Sequence, residues 1–288
     1  MTRIFAVQKA VGFKAMRVGV CRMATETKTT GRSLEIIAEI KRQDGARLDE
    51  LVAELEIARS TVHRHLRTLI DYGYVIREGE SYHIDLKFLN LGTYARTRKQ
   101  AYLLIEETLY DLTDETDEEC EFIAENDGRG ILVYETYHPK SRFEGANGFG
   151  IKDSPSIGTY FYLHNHAAGK AILASLSNDQ VEGIVDKWGL PPKTEKTITD
   201  RDGLRVELER VRERGVAHSD EEFAKGLREV AHCVENPDGT PLGAISVMGP
   251  LYRMERERFY DELPALLEHA IDELETRIEN EYIEGMGI

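Results

Sequence analysis

Residues 60–72 read STVHRHLRTLIDY, a stretch that permits little other than an amphipathic helix. Val62, Leu66, Leu69 and Ile70 recur at i, i+4, i+7 and i+8, which gathers them on one apolar stripe. Ser60 stands where an N-cap hydroxyl would accept a first-turn N–H. The other side carries Thr61, His63, Arg64, Arg67 and Thr68, with Arg59 just before the cap. Each can donate to a phosphate oxygen or a base edge. No acid falls between Ile57 and Leu69, although the chain holds 52 acids against 37 bases.

The flanks complete a recognisable order. Leu48, Leu51, Val52 and Leu55 predict a short preceding helix, with Asp49 and Glu50 in the first turn, where they suit the helix dipole. Glu56-Ile57-Ala58 has the length of a tight helix–helix turn. Gly73 is placed to end the second helix in the left-handed conformation. Tyr74, Ile76, Tyr82 and Ile84 then alternate around Glu78-Gly79-Glu80, predicting a hairpin. Leu34, Ile36, Ile37 and Ile40 predict a third helix over 32–41 that closes the core. The module is a winged helix-turn-helix with a basic recognition face; contact with protein or RNA is the other use such a module can serve.

Charge is divided unevenly. Residues 1–22 hold five bases and no acid, and residues 23–92 hold ten bases against twelve acids. The remainder carries 22 bases and 40 acids, so the acid excess lies outside the DNA module. We read this as an adaptation to high salt, where the Debye length falls to ~3 Å at 1 M. A salt dependence of DNA affinity as steep as an ordinary repressor's would exclude that reading. The basic start lacks a secretory apolar core, and Met23-Ala24-Thr25-Glu26-Thr27 reads as a natural translation start, so residues 1–30 are expected to be a disordered or mis-assigned extension. Cys21, Cys120 and Cys233 are too few and too scattered for a disulfide framework, which with the absence of a long apolar run points to the cytoplasm.

Ser60-Thr61-Val62-His63-Arg64, Leu66, and Leu69 through Gly73-Tyr74-Val75 resemble the winged helix-turn-helix of the IclR family of transcriptional regulators. LHNHAAGKAILASL (163–176) and RERGVAHSDEEFAKGLREVAHCV with DGTPLGAISVMGP (212–250) resemble that family's effector-binding half. The resemblance implies a two-domain α+β chain: a winged helix-turn-helix at 31–85, a linker helix at 86–99, and a GAF-like α/β effector-binding domain with an antiparallel sheet at 100–288. It also implies a homodimer or homotetramer that sets two recognition helices about one DNA turn apart, ~34 Å, on a pseudo-palindromic double-stranded operator. In the linker, Leu86, Leu89 and Tyr94 are expected to bury while Arg96, Arg98 and Lys99 stay solvated. No membrane partner and no cofactor is expected.

The downstream half predicts a helix over 103–116, strands at 120–124 and 131–137 around Asn126-Asp127-Gly128, and a strand at 157–163. Helices at 167–175, 178–187 and 202–215 follow, then strands at 229–235 and 243–248 joined by Asn236-Pro237-Asp238-Gly239, and a closing helix over 254–284. The resemblance implies helices on one side of this sheet and an effector pocket formed by Ala167, Ala168 and Gly169 at a helix start, facing Asp220, Leu227, Glu229, Ser246 and Met248. Helix-start N–H groups are anion donors, but a Glu229 carboxylate facing them repels an anionic effector. A hydroxyl-rich or amine-bearing small molecule suits the site better, unless Glu229 points outward to solvent.

His164 and His166, with His218, His232 and Cys233, invite a metal reading; adjacent strand residues such as His232 and Cys233 cannot both point inward, and no metal is assigned. GANGFG (145–150) lacks the lysine and hydroxyl of a phosphate loop, there is no nucleophile elbow, and Asp220-Glu221-Glu222 reads as solvated acids. An enzyme is not expected.

Overall fold

The computed structural model describes residues 27–137 and 156–285, so the 1–26 stretch, Cys21 and the GANGFG motif lie outside the described residues. The described residues form two compact units, divided between Arg98 and Lys99.

In the first unit, α1 (Lys28–Arg42), α2 (Leu48–Leu55) and α3 (Arg59–Asp71) enclose Ile36, Ile40, Leu51, Ile57, Val62, Leu66 and Leu69. Residues 28–30, expected in the extension, are the first turn of α1. The turn between α2 and α3 works without glycine because Glu56 itself takes the left-handed conformation, φ 55°. The buried Ile57 then leaves Ala58 as the extended residue before α3, and its carbonyl accepts from Thr61 and Val62 N–H. Ser60 is therefore inside the first turn of α3 and is not its cap. The buried stripe of α3 also differs from the expected one: it is Val62, His65, Leu66 and Leu69, while Ile70 is exposed. His65 can sit inside because Ser33 Oγ lies 2.8 Å from its Nδ1.

Gly73 closes α3 as expected. With φ +72° it lets Tyr74 N–H reach Leu69 O and its own N–H reach Ile70 O. The wing consists of β2 (Val75–Glu78) and β3 (Ser81–Ile84), and β1 (Ala46–Arg47) pairs with the outer edge of β3. Val75 and Tyr82 face the core, and Ile76 is exposed. Helix α4 (Lys87–Thr97) is held to this unit by Lys87 Nζ donating to Tyr72 O and by Phe88 against Tyr74. Leu86, Leu89 and Tyr94 do not bury; they are 80%, 66% and 68% exposed.

The second unit is built on a six-stranded antiparallel sheet, ordered β6-β5-β4-β9-β8-β7. Its strands are β4 (Glu119–Asn126), β5 (Arg129–Thr136), β6 (Tyr160–Phe161), β7 (Val216–Asp220), β8 (Leu227–Glu235) and β9 (Pro241–Pro250). Strand β6 is a remnant of the expected 157–163 strand, whose end turns into a 3₁₀ segment at Leu163–Asn165. Strand β7 was not anticipated.

Helices cover both faces, which corrects the one-sided arrangement. Helix α5 (Ala101–Thr116) and α9 (Leu263–Gly285) pack with Cys120, Phe122, Val230, Ile245 and Val247 on one side. Helix α6 (Ala167–Ser175) packs with Ile123, Ala217, Ala231, Ala244 and Met248 on the other, joined by α7 (Asn178–Trp188) and α8 (Arg201–Arg214). The physical reason is visible in β9, where Leu242 through Gly249 are all buried. A strand without an exposed face needs cover on both. The β4–β5 turn is fastened to α7: Trp188 Nε1 donates to Asp127 O, and Arg129 lies over the indole ring.

Candidate functional site

The first candidate site is the outer face of α3. Ser60, His63, Arg64, Arg67 and Thr68 are exposed, and the Thr68 hydroxyl donates back to Arg64 O. Thr61 is half-buried and belongs to the boundary of that face. Arg59 is exposed but already paired with Asp49 of α2. His65, by contrast, is turned inward, and burial lowers its pKa, assisted by the charges of Arg64 and Arg32.

The second site lies where the start of α6 meets the sheet. His166 caps α6 in extended conformation, so its ring points away from the helix and toward the strands. Ala167 N–H and Ala168 N–H both donate to the Glu229 carboxylate, at 2.8 and 3.2 Å. His166 Nδ1 lies 2.7 Å from Glu229 Oε1, without good hydrogen-bond alignment. Glu229 is only 2% exposed, so the outward orientation is excluded. Burial alone would raise its pKa. The adjacent His166 and the two amide donors outweigh burial and bring it below the ordinary carboxylate value. Phe161 and Phe223 clamp the His166 ring at centroid distances of 5.0 and 4.7 Å.

Register decides which other residues join. Met248 pairs directly with Glu229, and Ser246 with Ala231, so both project to the α6 side. Leu227, two residues before Glu229, shares that face and packs in its core. Asp220 does not join them. It pairs with Arg228, one residue out of phase with Glu229, and its side chain is bound by Arg228 at 2.8 Å and Lys196 at 3.3 Å. The residue of β7 opposite Glu229 is Ser219. Gly169 contributes space: a Cβ there would stand 2.2 Å from Leu163 O, so only glycine lets α6 lie this close to the 3₁₀ segment.

Three more carboxylates stand on the same sheet face, and the sequence reading missed them. Glu119 pairs with Met248, and Glu121 pairs with Ser246 on one side and Glu135 on the other. Carboxylate oxygens of Glu119, Glu121 and Glu135 lie within 4.8 Å of one another. Burial, then the charge of Glu135, pushes Glu119 up to about 8; burial and the charges of Glu119, Glu229 and Glu135 raise Glu121 well above the usual range. Tyr137 OH donates to Glu135 at 2.7 Å. The available signal was the i, i+2 spacing of Glu119 and Glu121 in a strand, which the apolar neighbours Cys120 and Phe122 disguised.

The histidines of the metal reading do not converge. His164 reaches Pro191 O, His218 reaches Phe259 O on the opposite face of the sheet, and only His166 joins the carboxylates. Nor are the acids at 220–222 simply solvated: Glu222 binds the wholly buried Lys170 Nζ at 2.6 Å, and Glu221 binds Lys196 at 2.7 Å.

A helix-turn-helix with a basic outer face, joined to a sheet domain that holds buried polar groups at a helix start, defines a one-component regulator: DNA reading in one unit, small-molecule sensing in the other. The sequence matches the family model of the bacterial transcriptional regulator IclR C-terminal over residues 102–275 and that of the IclR helix-turn-helix domain over residues 29–79. The chain belongs to the IclR family of DNA-binding transcriptional regulators with an effector-binding C-terminal domain. This sets aside the alternative of a winged-helix module without ligand sensing. It is 31% identical to the probable HTH-type transcriptional regulator ArcR of Halobacterium salinarum over 86% of this chain and 92% of that protein. It is 28% identical to the transcriptional repressor IclR of Escherichia coli, over 81% and 84%. These relatives are regulators, not enzymes. Among solved structures, a transcriptional regulator from Rhodococcus has the same fold, with TM-score 0.74 at 23% identity over 88% of this chain and 99% of that one. So has an IclR homologue from Microbacterium hydrocarbonoxydans complexed with 4-hydroxybenzoate, with TM-score 0.71 at 14% identity over 88% and 99%. Among the described residues no helix is long and apolar enough to cross a membrane.

Proposed function

We propose that α3 enters the DNA major groove, with Arg64 and Arg67 at base edges or phosphates, His63 and Thr68 beside them, and Ser60 and Thr61 near the backbone. The observation that carries this is the exposed face of α3, basic and without an acid until Asp71 at its last residue, fixed in place by four buried residues on its other side. Arg59 is a phosphate contact that must first part from Asp49. Two chains pair through the uncovered stripe of Leu86, Leu89 and Tyr94, giving a homodimer or a homotetramer that reads a pseudo-palindromic operator. The protein acts where the genome lies, in the cytoplasm. The units are divided as a winged helix-turn-helix to residue 85, a linker helix through 99, and the effector domain beyond.

The effector site lies at the start of α6, lined by Ala167, Ala168, Glu229, Ser246 and Met248, with Leu227 packed beside them. Glu229 already satisfies the two amide donors that an anionic effector would use, which supports an effector bearing hydroxyls or an amine in place of a carboxylate. The structurally similar protein that binds 4-hydroxybenzoate would differ from this chain in that respect.

Fragments of the native genome selected by the full chain supply the DNA probe. Arg64→Ala removes up to two hydrogen bonds to a base, about 1–3 kcal/mol, and is expected to weaken binding by roughly 10- to 100-fold with no change in urea midpoint. Undiminished binding to those fragments would remove Arg64 from the interface.

A further inference from the structure

We propose that Glu119, Glu121 and Glu135, with the hydroxyl of Ser246, form a binding site for a divalent cation with hard oxygen ligands, of the calcium size class. The three carboxylates come from neighbouring strands β4 and β5 and project to one sheet face. Their oxygens lie within 4.8 Å of one another. Calcium–oxygen distances of about 2.3–2.6 Å place opposite ligands about 4.6–5.2 Å apart, so such an ion fits between them with little movement, whereas magnesium demands a tighter octahedron of about 2.1 Å.

Two observations separate this cluster from an ordinary group of acids. Among the described residues none of the three has a lysine or arginine in ion-pair range. The base that reaches the cluster among the described residues is His166, whose Nε2 is 4.0 Å from Glu121 Oε2 and whose other nitrogen is beside Glu229. Secondly, Ser246 Oγ is wholly buried and has no hydrogen-bond partner among the described residues, as is true of Glu121 Oε2. Ser246 faces Glu121 across the β4–β9 ladder, so its hydroxyl is directed onto the same patch. Ionised carboxylates placed directly opposite each other, as Glu121 and Glu135 are in register, destabilise a sheet unless a proton or a cation stands between them. A cation meets both demands: it neutralises the facing carboxylates and takes up the buried hydroxyl.

The test uses the full chain after exhaustive chelation and exchange into metal-free buffer. Calorimetric titration with calcium chloride, repeated with manganese and magnesium chloride, should give saturation at one ion per chain and a raised melting temperature, with magnesium weakest. Glu121→Gln and Glu135→Gln should each weaken binding at least tenfold, and Ser246→Ala several-fold. Circular dichroism identifies any variant that fails to fold, and Glu135→Gln, at the more open edge, serves where Glu121→Gln does not. Absence of saturable binding at millimolar metal, or binding that survives both glutamine variants, overturns the proposal. So does saturation by 1,4-diaminobutane in the absence of any metal response. Metal binding and operator binding are read separately, so an altered outcome for Arg64→Ala leaves this result intact.

Discussion

Glu229→Ala tests the central feature of the effector unit, a side chain held in a place built for an anion. The substitution leaves Ala167 N–H and Ala168 N–H without an acceptor in a buried setting and removes the partner of His166. Each unsatisfied donor costs about 1–3 kcal/mol, so the two together cost about 2–6 kcal/mol. For a unit of this size 1 kcal/mol moves the melting temperature by about 2–4 °C, so a fall of roughly 4–24 °C is expected. The same cavity should then accept a small carboxylate. Formate or acetate at about 100 times its dissociation constant would restore about 2.7 kcal/mol, detectable as a dose-dependent rise in melting temperature that the parent protein does not show. Chloride at equal ionic strength is the control. A melting temperature within about 2 °C of the parent, or a rise with chloride as large as with formate, would show that Glu229 is not bound as described.

Other consequences are open to simpler measurements. Gly169→Ala must push a Cβ into the Leu163 backbone and is expected to destabilise by about 2 kcal/mol, whereas Gly183→Ala in α7, where nothing lies within 4 Å, should stabilise by about 0.5–1 kcal/mol; chemical denaturation giving both the same sign would contradict the packing described. His218 is buried between Phe259 and Tyr260, and burial lowers its pKa to about 4. Its neutral form is the folded one, so its contribution is intact above about pH 6.5 and is lost as pH falls toward 4, roughly 2–3 kcal/mol by pH 4.5. His218→Gln, which keeps a donor for Phe259 O, should flatten that loss in urea midpoints compared at pH 7 and 4.5; parallel curves would refute it. Leu89→Glu should dissociate the oligomer in sedimentation equilibrium, and an unchanged mass would move the pairing surface off α4.

Local signals carried the sequence reading far in the first unit. Glycine at 73 and apolar spacing at 62, 66 and 69 are decisions made within one or two turns, and they are legible in any single sequence. Its misreading came from pairing across space: His65 replaces Ile70 in the core only because Ser33, 32 residues earlier, meets its ring. The effector unit shows the same division. The start of α6 and Glu229 were found, but Asp220 was assigned to the wrong face because a one-residue phase separates it from Ser219, and β7 itself gave no alternating pattern. Glu119, Glu121 and Glu135 were invisible as a group, since the register of β4 against β5 and β9, with its bulge after Phe122, is a long-range property.

The contact between Trp188 and the β4–β5 turn has an optical consequence. Trp188 is the sole tryptophan of the chain, and its indole donates to Asp127 O beneath the Arg129 guanidinium. Excitation at the red edge therefore reports from the effector unit alone, while the DNA-reading unit contributes only tyrosine emission. The parent protein thus carries its own fluorophore at the junction of sheet and α7, so unfolding of the effector unit can be followed without attaching a dye.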